Sequence, residues 1–242
     1  MKILFLGTRG GIVAKNNLHQ RHTVTIINYR GTRVAIDCGL DWLHHMNIIN
    51  PDAIVITHAH EDHVGGLKNG APCPVYASAA SWNKLKHFPI NEGIIIQYRK
   101  PFTIGQLVFE AFFVKHSFRA PAVGYRITGG STTIFCVHDL LAIKNRRAAL
   151  HNIKLYIGDG ATLTRPIIRY KDDLPNQPFG HTSIKEQLRW CKLAHVPRAI
   201  FTHCGSQIIK SDPKTIQTKV AELGALYSVE ASIGLDGTKI II

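Results

Sequence analysis

Hydrophobic positions in this chain fall into short β-branched runs separated by glycine, proline and small polar residues, a pattern that predicts many strands and few long helices. Ile3 to Leu6 is the first such run. His22 to Tyr29 alternates with β-branched residues, Gly31 turns it and Thr32 to Asp37 returns, which predicts a β-hairpin. Tyr125 to Thr128, Gly129-Gly130 and Thr132 to Val137 predict a second, because a two-glycine connection suits a tight hairpin turn. Pro51 to Thr57, Val75 to Ala77, Ile94 to Tyr98, Phe102 to Ile104 and Leu107 to Val114 add further strands. Asp41 to Asn47 and Ala79 to His87 read as short helices, the second capped by Ser78.

The final third changes period. Leu140 to His151, Ser183 to Ala194 and Pro213 to Gly224 repeat as helices, the last with Ser211 or Asp212 as cap and Pro213 in its first turn. Leu155 to Ile157 and Ala199 to Thr202 are short apolar strands between them. A strand-rich first half followed by strand–helix alternation predicts an α/β or α+β layered fold. With no linker or internal repeat to divide it, one domain spanning 1–242 is expected.

Composition narrows the class. Apolar residues make up 45% of the 242 and charged residues 19%, a globular balance. No apolar window approaches the roughly 18–20 residues of a membrane span. Met1 to Gly7 is too short for a signal-peptide core, so no membrane partner and a cytoplasmic location are expected. Cys38, Cys73, Cys136, Cys191 and Cys204 are odd in number, widely spaced and free of C-x-x-C pairs, which argues for reduced thiols over a disulfide scaffold or a cysteine zinc knuckle. The 29 Lys and Arg against 16 Asp and Glu give a net charge of +13, which attracts polyanions. The basic residues are dispersed, so a generally basic surface explains them as well as a dedicated binding track.

The chemistry concentrates in His58-Ala59-His60-Glu61-Asp62-His63. Imidazole and carboxylate are preferred ligands of Zn²⁺ and its neighbours, and crowding them is electrostatically favourable around a cation. An apolar run precedes them and Val64-Gly65-Gly66 follows, so they occupy a loop at a strand end. His116, Asp139 and His203 each follow another apolar run, which would bring them to the same sheet edge. With 14 histidines in the chain, each one alone carries little weight; the shared context carries more.

His-x-His-x-Asp-His followed by His, Asp and His at strand ends resembles the metallo-β-lactamase superfamily. Gly7-Thr8-Arg9-Gly10-Gly11 and Ile36-Asp37-Cys38-Gly39 resemble its first strands, so the likeness runs through nearly the whole chain. His116-Ser117-Phe118-Arg119 to Ile127, Gly180-His181-Thr182-Ser183 and Thr202-His203 are similar to motifs of the ribonuclease Z-like phosphodiesterase branch. The resemblance implies a four-layer αβ/βα sandwich with two divalent metal ions, zinc first, manganese or iron otherwise. It implies that His58, His60 and His116 hold one ion, that Asp62, His63 and His203 hold the other, and that Asp139 bridges them. Asp159 is a rival for the bridge or an orienting carboxylate; Asp37 and Thr57 are expected to support the ligands.

Function expected on this basis is phosphodiester hydrolysis of RNA, a cyclic nucleotide or a small cyclic phosphate by an activated water. Asp62 is expected to orient that water, and His181 to donate to the leaving oxygen. Arg9, Arg119 and Arg126 are candidate phosphate contacts. A phosphate-bearing partner such as nucleic acid is expected, and a homodimer is allowed. Hydrolysis of a carboxylic ester, lactone or thioester is the second reading; a nucleic-acid-binding protein with a structural metal site is the third. No long basic Gly/Pro-rich insertion is present for a transfer-RNA-binding arm, and the 14 residues from Thr164 to Gln177 read as a short flap.

Overall fold

A computed structural model describes residues 1–171 and 174–242. Two sheets lie face to face with helices on their outer faces. The first has strand order Lys239–Ile241, Lys2–Gly7, Val24–Tyr29, Thr32–Ile36, Ala53–Val55, Val75–Ser78, Gly93–Ile96. The second runs Ala142–Ile143, Leu107–Lys115, Ala122–Gly129, Thr132–Cys136, Leu155–Asp159, Arg198–Thr202, Glu230–Ile233, with Phe102–Ile104 paired to Leu107–Lys115.

Alternation along the strands builds three buried layers, because successive side chains point to opposite faces. Val34 and Ile36 join Ile134, Cys136, Leu155 and Ile157 in the core between the sheets. Their neighbour Ala35 instead packs outward with Trp42, Met46 and Leu85. Phe135 and Tyr156 pack outward from the second sheet against Leu188, Cys191, Ile216 and Val220 of the helices Ile184–Leu193 and Pro213–Leu226. That is the expected four-layer αβ/βα sandwich.

Both predicted hairpins form, Val24–Tyr29 with Thr32–Ile36 and Ala122–Gly129 with Thr132–Cys136. Ser78 caps Ala79–Leu85 by accepting from the Ser81 amide, and Asp212 caps Pro213–Leu226 by accepting from Thr215. Two helical expectations are corrected. Asp41 to Asn47 is a 3₁₀ turn at Leu40–Trp42 followed by a helix at Met46–Ile49. Leu140 to His151 is a two-residue strand at Ala142–Ile143 and turns, with a helix only at Arg146–Ala149. Tertiary hydrogen bonds override its periodicity: Leu140 N–H donates to Asp159, Leu141 to the Lys115 carbonyl and Lys144 to the Phe113 carbonyl.

The stretch Thr164 to Gln177, expected as a flap, contributes to an antiparallel hairpin of Ile167–Lys171 with Leu174–His181. Asp172 and Asp173 of that stretch lie outside the described residues. Among the described residues, no helix is long and apolar enough to cross a membrane. All five cysteines are free thiols.

Candidate metal centre

Strand ends converge at one edge of the sandwich. His58 and His60 follow Ala53–Val55, and Asp62 and His63 lie in the short helix Glu61–Val64. His116 follows Leu107–Lys115, Asp139 follows Thr132–Cys136, and His203 follows Arg198–Thr202. His203 takes a left-handed backbone at φ 52, and Asp37 does so at φ 64. Such backbone costs of order 1–3 kcal/mol for a residue other than glycine and concentrates at functional sites.

Two ligand sets form around one shared carboxylate: His58, His60, His116 and Asp139, and then Asp62, His63, Asp139 and His203. Asp139 Oδ2 lies 3.2 Å from His58 Nε2, 3.0 Å from His63 Nε2 and 3.5 Å from His116 Nε2, while Oδ1 lies 2.7 Å from His203 Nδ1. Ligands bound at roughly 2.0–2.1 Å to one tetrahedral cation stand about 3.4 Å apart. Asp62 Oδ2 is 3.0 Å from His203 Nε2 and 3.4 Å from His63 Nε2. Glu61, the remaining acid of the run, pairs outward with Lys68.

A test of fit comes from atoms that hydrogen bonding does not satisfy. His63 Nε2, Asp139 Oδ1 and His203 Nδ1 are buried without a hydrogen-bond partner; the close approach of His203 to Asp139 is not aligned for one. An unmet buried polar group costs about 1–3 kcal/mol, which cation coordination removes. The donors are all imidazole nitrogen and carboxylate oxygen, a set that suits zinc and its neighbours. The residues fit divalent metal.

A network behind the ligands sets their tautomers. Asp37 Oδ2 accepts from His63 Nδ1 at 2.7 Å and from the Thr57 hydroxyl at 2.7 Å. Thr57 Oγ1 is 3.1 Å from His58 Nδ1 and is left to accept from it. Both imidazoles therefore turn Nε2 toward the site, the usual role of an orienting carboxylate. His138 donates to the same Asp37 oxygen at 2.6 Å, a partner not anticipated from the sequence. Its signal was its place beside Asp139 at the end of a buried strand. His116 Nδ1 donates to the Gly180 carbonyl at 3.1 Å, which frees its Nε2.

Asp159 comes within reach of Asp139, His181 and His203, a third group of possible ligands. Its Oδ1 accepts from the Ala161 amide, and its Oδ2 accepts from the Leu140 amide and from His181 Nδ1 at 2.8 Å. Three donors occupy it, so it orients His181. His181 ends the strand Leu174–His181, with Nδ1 3.4 Å from Asp139 Oδ1.

Electrostatics divide the histidines. Burial pushes His63 down, but Asp62 and Asp37 raise it well above the ordinary imidazole range. His203, likewise buried, is pushed up to about 10 by Asp139 and Asp62. Burial and His63 hold His58 far below its usual value, and burial and His116 bring His60 down to about 4. Burial would raise Asp62 and Asp139, yet the neighbouring imidazoles keep both well below the usual carboxylate range. The pattern is a buried demand for positive charge. His181 is raised: burial opposes its charge, and Asp159 and Asp139 outweigh burial.

Over this centre lies a cavity of about 930 Å³, with Gly10, Gly11, Arg119, Arg169, Phe118 and Phe179 among its walls. A Cβ on Gly10 would come within 2.9 Å of the His203 ring, and one on Gly11 within 2.8 Å of the Asp62 carboxylate, so these glycines let the loop after the first strand lie close against the site. Arg119 lines the cavity as expected. Arg9 and Arg126 are corrected. Arg9 is buried, donating to the Gln20 and Ile12 carbonyls and to Asp41. Arg126 donates to the Ala149 and His151 carbonyls in a separate cleft shared with Arg99 and Arg147.

Gly180 hooks the hairpin to the centre. Its N–H donates to the His116 carbonyl at 2.8 Å, its φ is +127, and an added Cβ would stand 2.0 Å from the Ile167 carbonyl. Gly180→Ala is expected to lower unfolding stability by about 1–3 kcal/mol, the cost of backbone strain in this region. Denaturant unfolding of the two proteins checks it; equal midpoints would refute the hook.

Comparison with known proteins agrees with this geometry. The family described as beta-lactamase superfamily domain matches residues 32–204. Over 142 residues the chain is 29% identical to ribonuclease Z from Methanopyrus kandleri, 51% of this chain and 48% of that one. It spans about half or less of the length of the ribonuclease Z relatives it matches. The metallo-β-lactamase fold protein YhfI from Bacillus subtilis superposes with a TM-score of 0.75 at 19% identity, covering 99% of this chain and 98% of that one. A diphosphatase from the PhnP family superposes with a TM-score of 0.73 at 17% identity, covering 100% and 97%.

Proposed function

Because the chain belongs to the metallo-β-lactamase superfamily, in its ribonuclease Z-like branch, we propose that it is a metal-dependent phosphodiesterase with a dinuclear centre. His58, His60 and His116 would hold one divalent cation and Asp62, His63 and His203 the second, with Asp139 belonging to both sets. When bound, the cations supply Lewis acidity and lower the pKa of water at the site.

The chain's own groups do the rest. Asp62, at the rim of the second ligand set, accepts a hydrogen bond from the attacking water and orients it. His181, whose pKa Asp159 and Asp139 raise against burial, presents Nε2 to the cavity and donates a proton to the leaving oxygen. Arg119 and Arg169 at the cavity wall meet the non-bridging oxygens, whose negative charge grows along the reaction.

The observation that carries the phosphodiester reading is His181 fixed by Asp159 beside the shared carboxylate, with two guanidinium side chains on the same cavity. A neutral carbonyl substrate brings no anion for the two guanidinium groups to meet. The ribonuclease Z relative and the diphosphatase of the same fold act on phosphate compounds, which supports the same choice.

A parallel screen tests it, using metal-loaded protein with bis(p-nitrophenyl) phosphate, a linear RNA, 2′,3′-cyclic nucleotides, a lactone and a thioester. Turnover of at least one diester class is expected. Turnover of the carbonyl substrates with every diester intact would overturn the reading.

A further inference from the structure

Phe118 and Phe179 are half-buried, belong to none of the three core layers, and meet edge to face with ring centroids 5.4 Å apart at the wall of the cavity. Packing within the fold does not account for two large rings left partly open beside a charged centre. Buried aromatic area in such a place is a ligand surface in waiting.

Register explains how they come to face the centre. In the hairpin, Ile167 stands opposite His181 and Arg169 opposite Phe179. Residues two apart on a strand share a face, so one face of the hairpin carries Ile167, Arg169, Phe179 and His181 together. All four line the cavity. A proton donor, a cation, an aromatic ring and an aliphatic side chain are thus set side by side on one element. Phe118 closes the arrangement from the loop after Leu107–Lys115, with Arg119 next to it in the chain.

We propose that Phe118 and Phe179, with Ile167, form a nucleobase-binding slot, and that the substrate is a nucleotide phosphodiester whose base lies on these rings while Arg119 and Arg169 hold its phosphate. This rests on the phosphodiesterase reading and narrows it. A flat ring joined to a phosphate matches aromatic rings joined to arginines; an acyl chain would match the rings and leave the arginines without an anion. The only acids on the cavity wall among the described residues are Asp62 and Asp139, which belong to the metal centre, so the charged side chains that flank the slot, Arg119 and Arg169, are cationic. Stacking on an aromatic side chain contributes about 1–3 kcal/mol per base and tolerates any base, so the slot selects for the presence of a base more than for its identity.

Equilibrium binding separates the slot from the chemistry. Calorimetry on metal-loaded protein should find adenosine 5′-monophosphate bound about tenfold or more tightly than ribose 5-phosphate, the span that one stacked base confers. Phe179→Ala should remove about that tenfold advantage, leave ribose 5-phosphate affinity unchanged and retain metal; Phe179→Trp should preserve the advantage. Equal affinities for the two ligands in the wild-type protein, or binding of neither, would overturn the slot. So would a Phe179→Ala protein that keeps the full preference. A preference for an N-acyl lactone over both phosphates would assign the rings to an acyl group. The failures are distinguishable: if bis(p-nitrophenyl) phosphate is hydrolysed but the base makes no difference, the slot fails and the phosphodiesterase reading stands.

Discussion

Replacing His181 with alanine is expected to lower kcat toward bis(p-nitrophenyl) phosphate by roughly 10²–10⁴-fold, the usual contribution of a positioned general acid, with metal content unchanged. Asp159 is buried, its two oxygens are occupied by the Leu140 and Ala161 amides, and the Oδ2 that also meets His181 fixes the imidazole by Nδ1 at 2.8 Å. Only Nε2 is then free to reach a leaving group. Electrostatics follow: burial disfavours the imidazolium, but Asp159 and Asp139 outweigh burial and raise its pKa, which favours the protonated form. A diester with a better leaving group needs that proton less, so the loss should shrink as leaving-group acidity rises. Steady-state kinetics with a leaving-group series, alongside elemental analysis of the variant, checks both parts. Loss of metal in place of loss of kcat would make His181 a ligand.

Asp139→Asn is expected to weaken metal retention at both positions at once, by more than the roughly 10–100-fold that loss of a mere orienting partner costs. Asp139 is the one residue common to the two principal ligand sets, and its oxygens approach five histidine nitrogens within 3.5 Å, four of them in those sets. The amide keeps the shape and removes the charge. His63 and His203, raised by Asp62, Asp37 and Asp139, would lose one of their carboxylates. Metal titration by calorimetry measures the effect. A variant that lost one equivalent and kept the other at wild-type affinity would refute the shared position.

Much of this centre was legible from the sequence because its ligands follow strands that are themselves legible. His58, His60, Asp62 and His63 are contiguous, and His116, Asp139 and His203 each close an apolar run, so topology does the assembling. Three things were less visible for physical reasons. Leu140 to His151 has helical spacing, but backbone pairing with Lys115 and Phe113 and the Asp159 carboxylate claim its amides first. The hairpin ending at His181 hides behind Pro175, Asn176, Gln177 and Pro178, which read as loop, so the facing of Phe179 and Arg169 followed only from strand register. Arg9 and Arg126 carry the right charge for a phosphate, but charge in a sequence does not tell where a guanidinium points; these two satisfy carbonyls and Asp41. His138 was missed since a lone buried histidine differs from an apolar neighbour only by the carboxylate it meets, Asp37, which is 101 positions away.

Elemental analysis of protein stripped with chelator, reloaded with zinc, manganese or iron and freed of loose metal measures directly whether two cations share Asp139. Close to two equivalents per chain are expected; one equivalent or none would rule out the shared carboxylate.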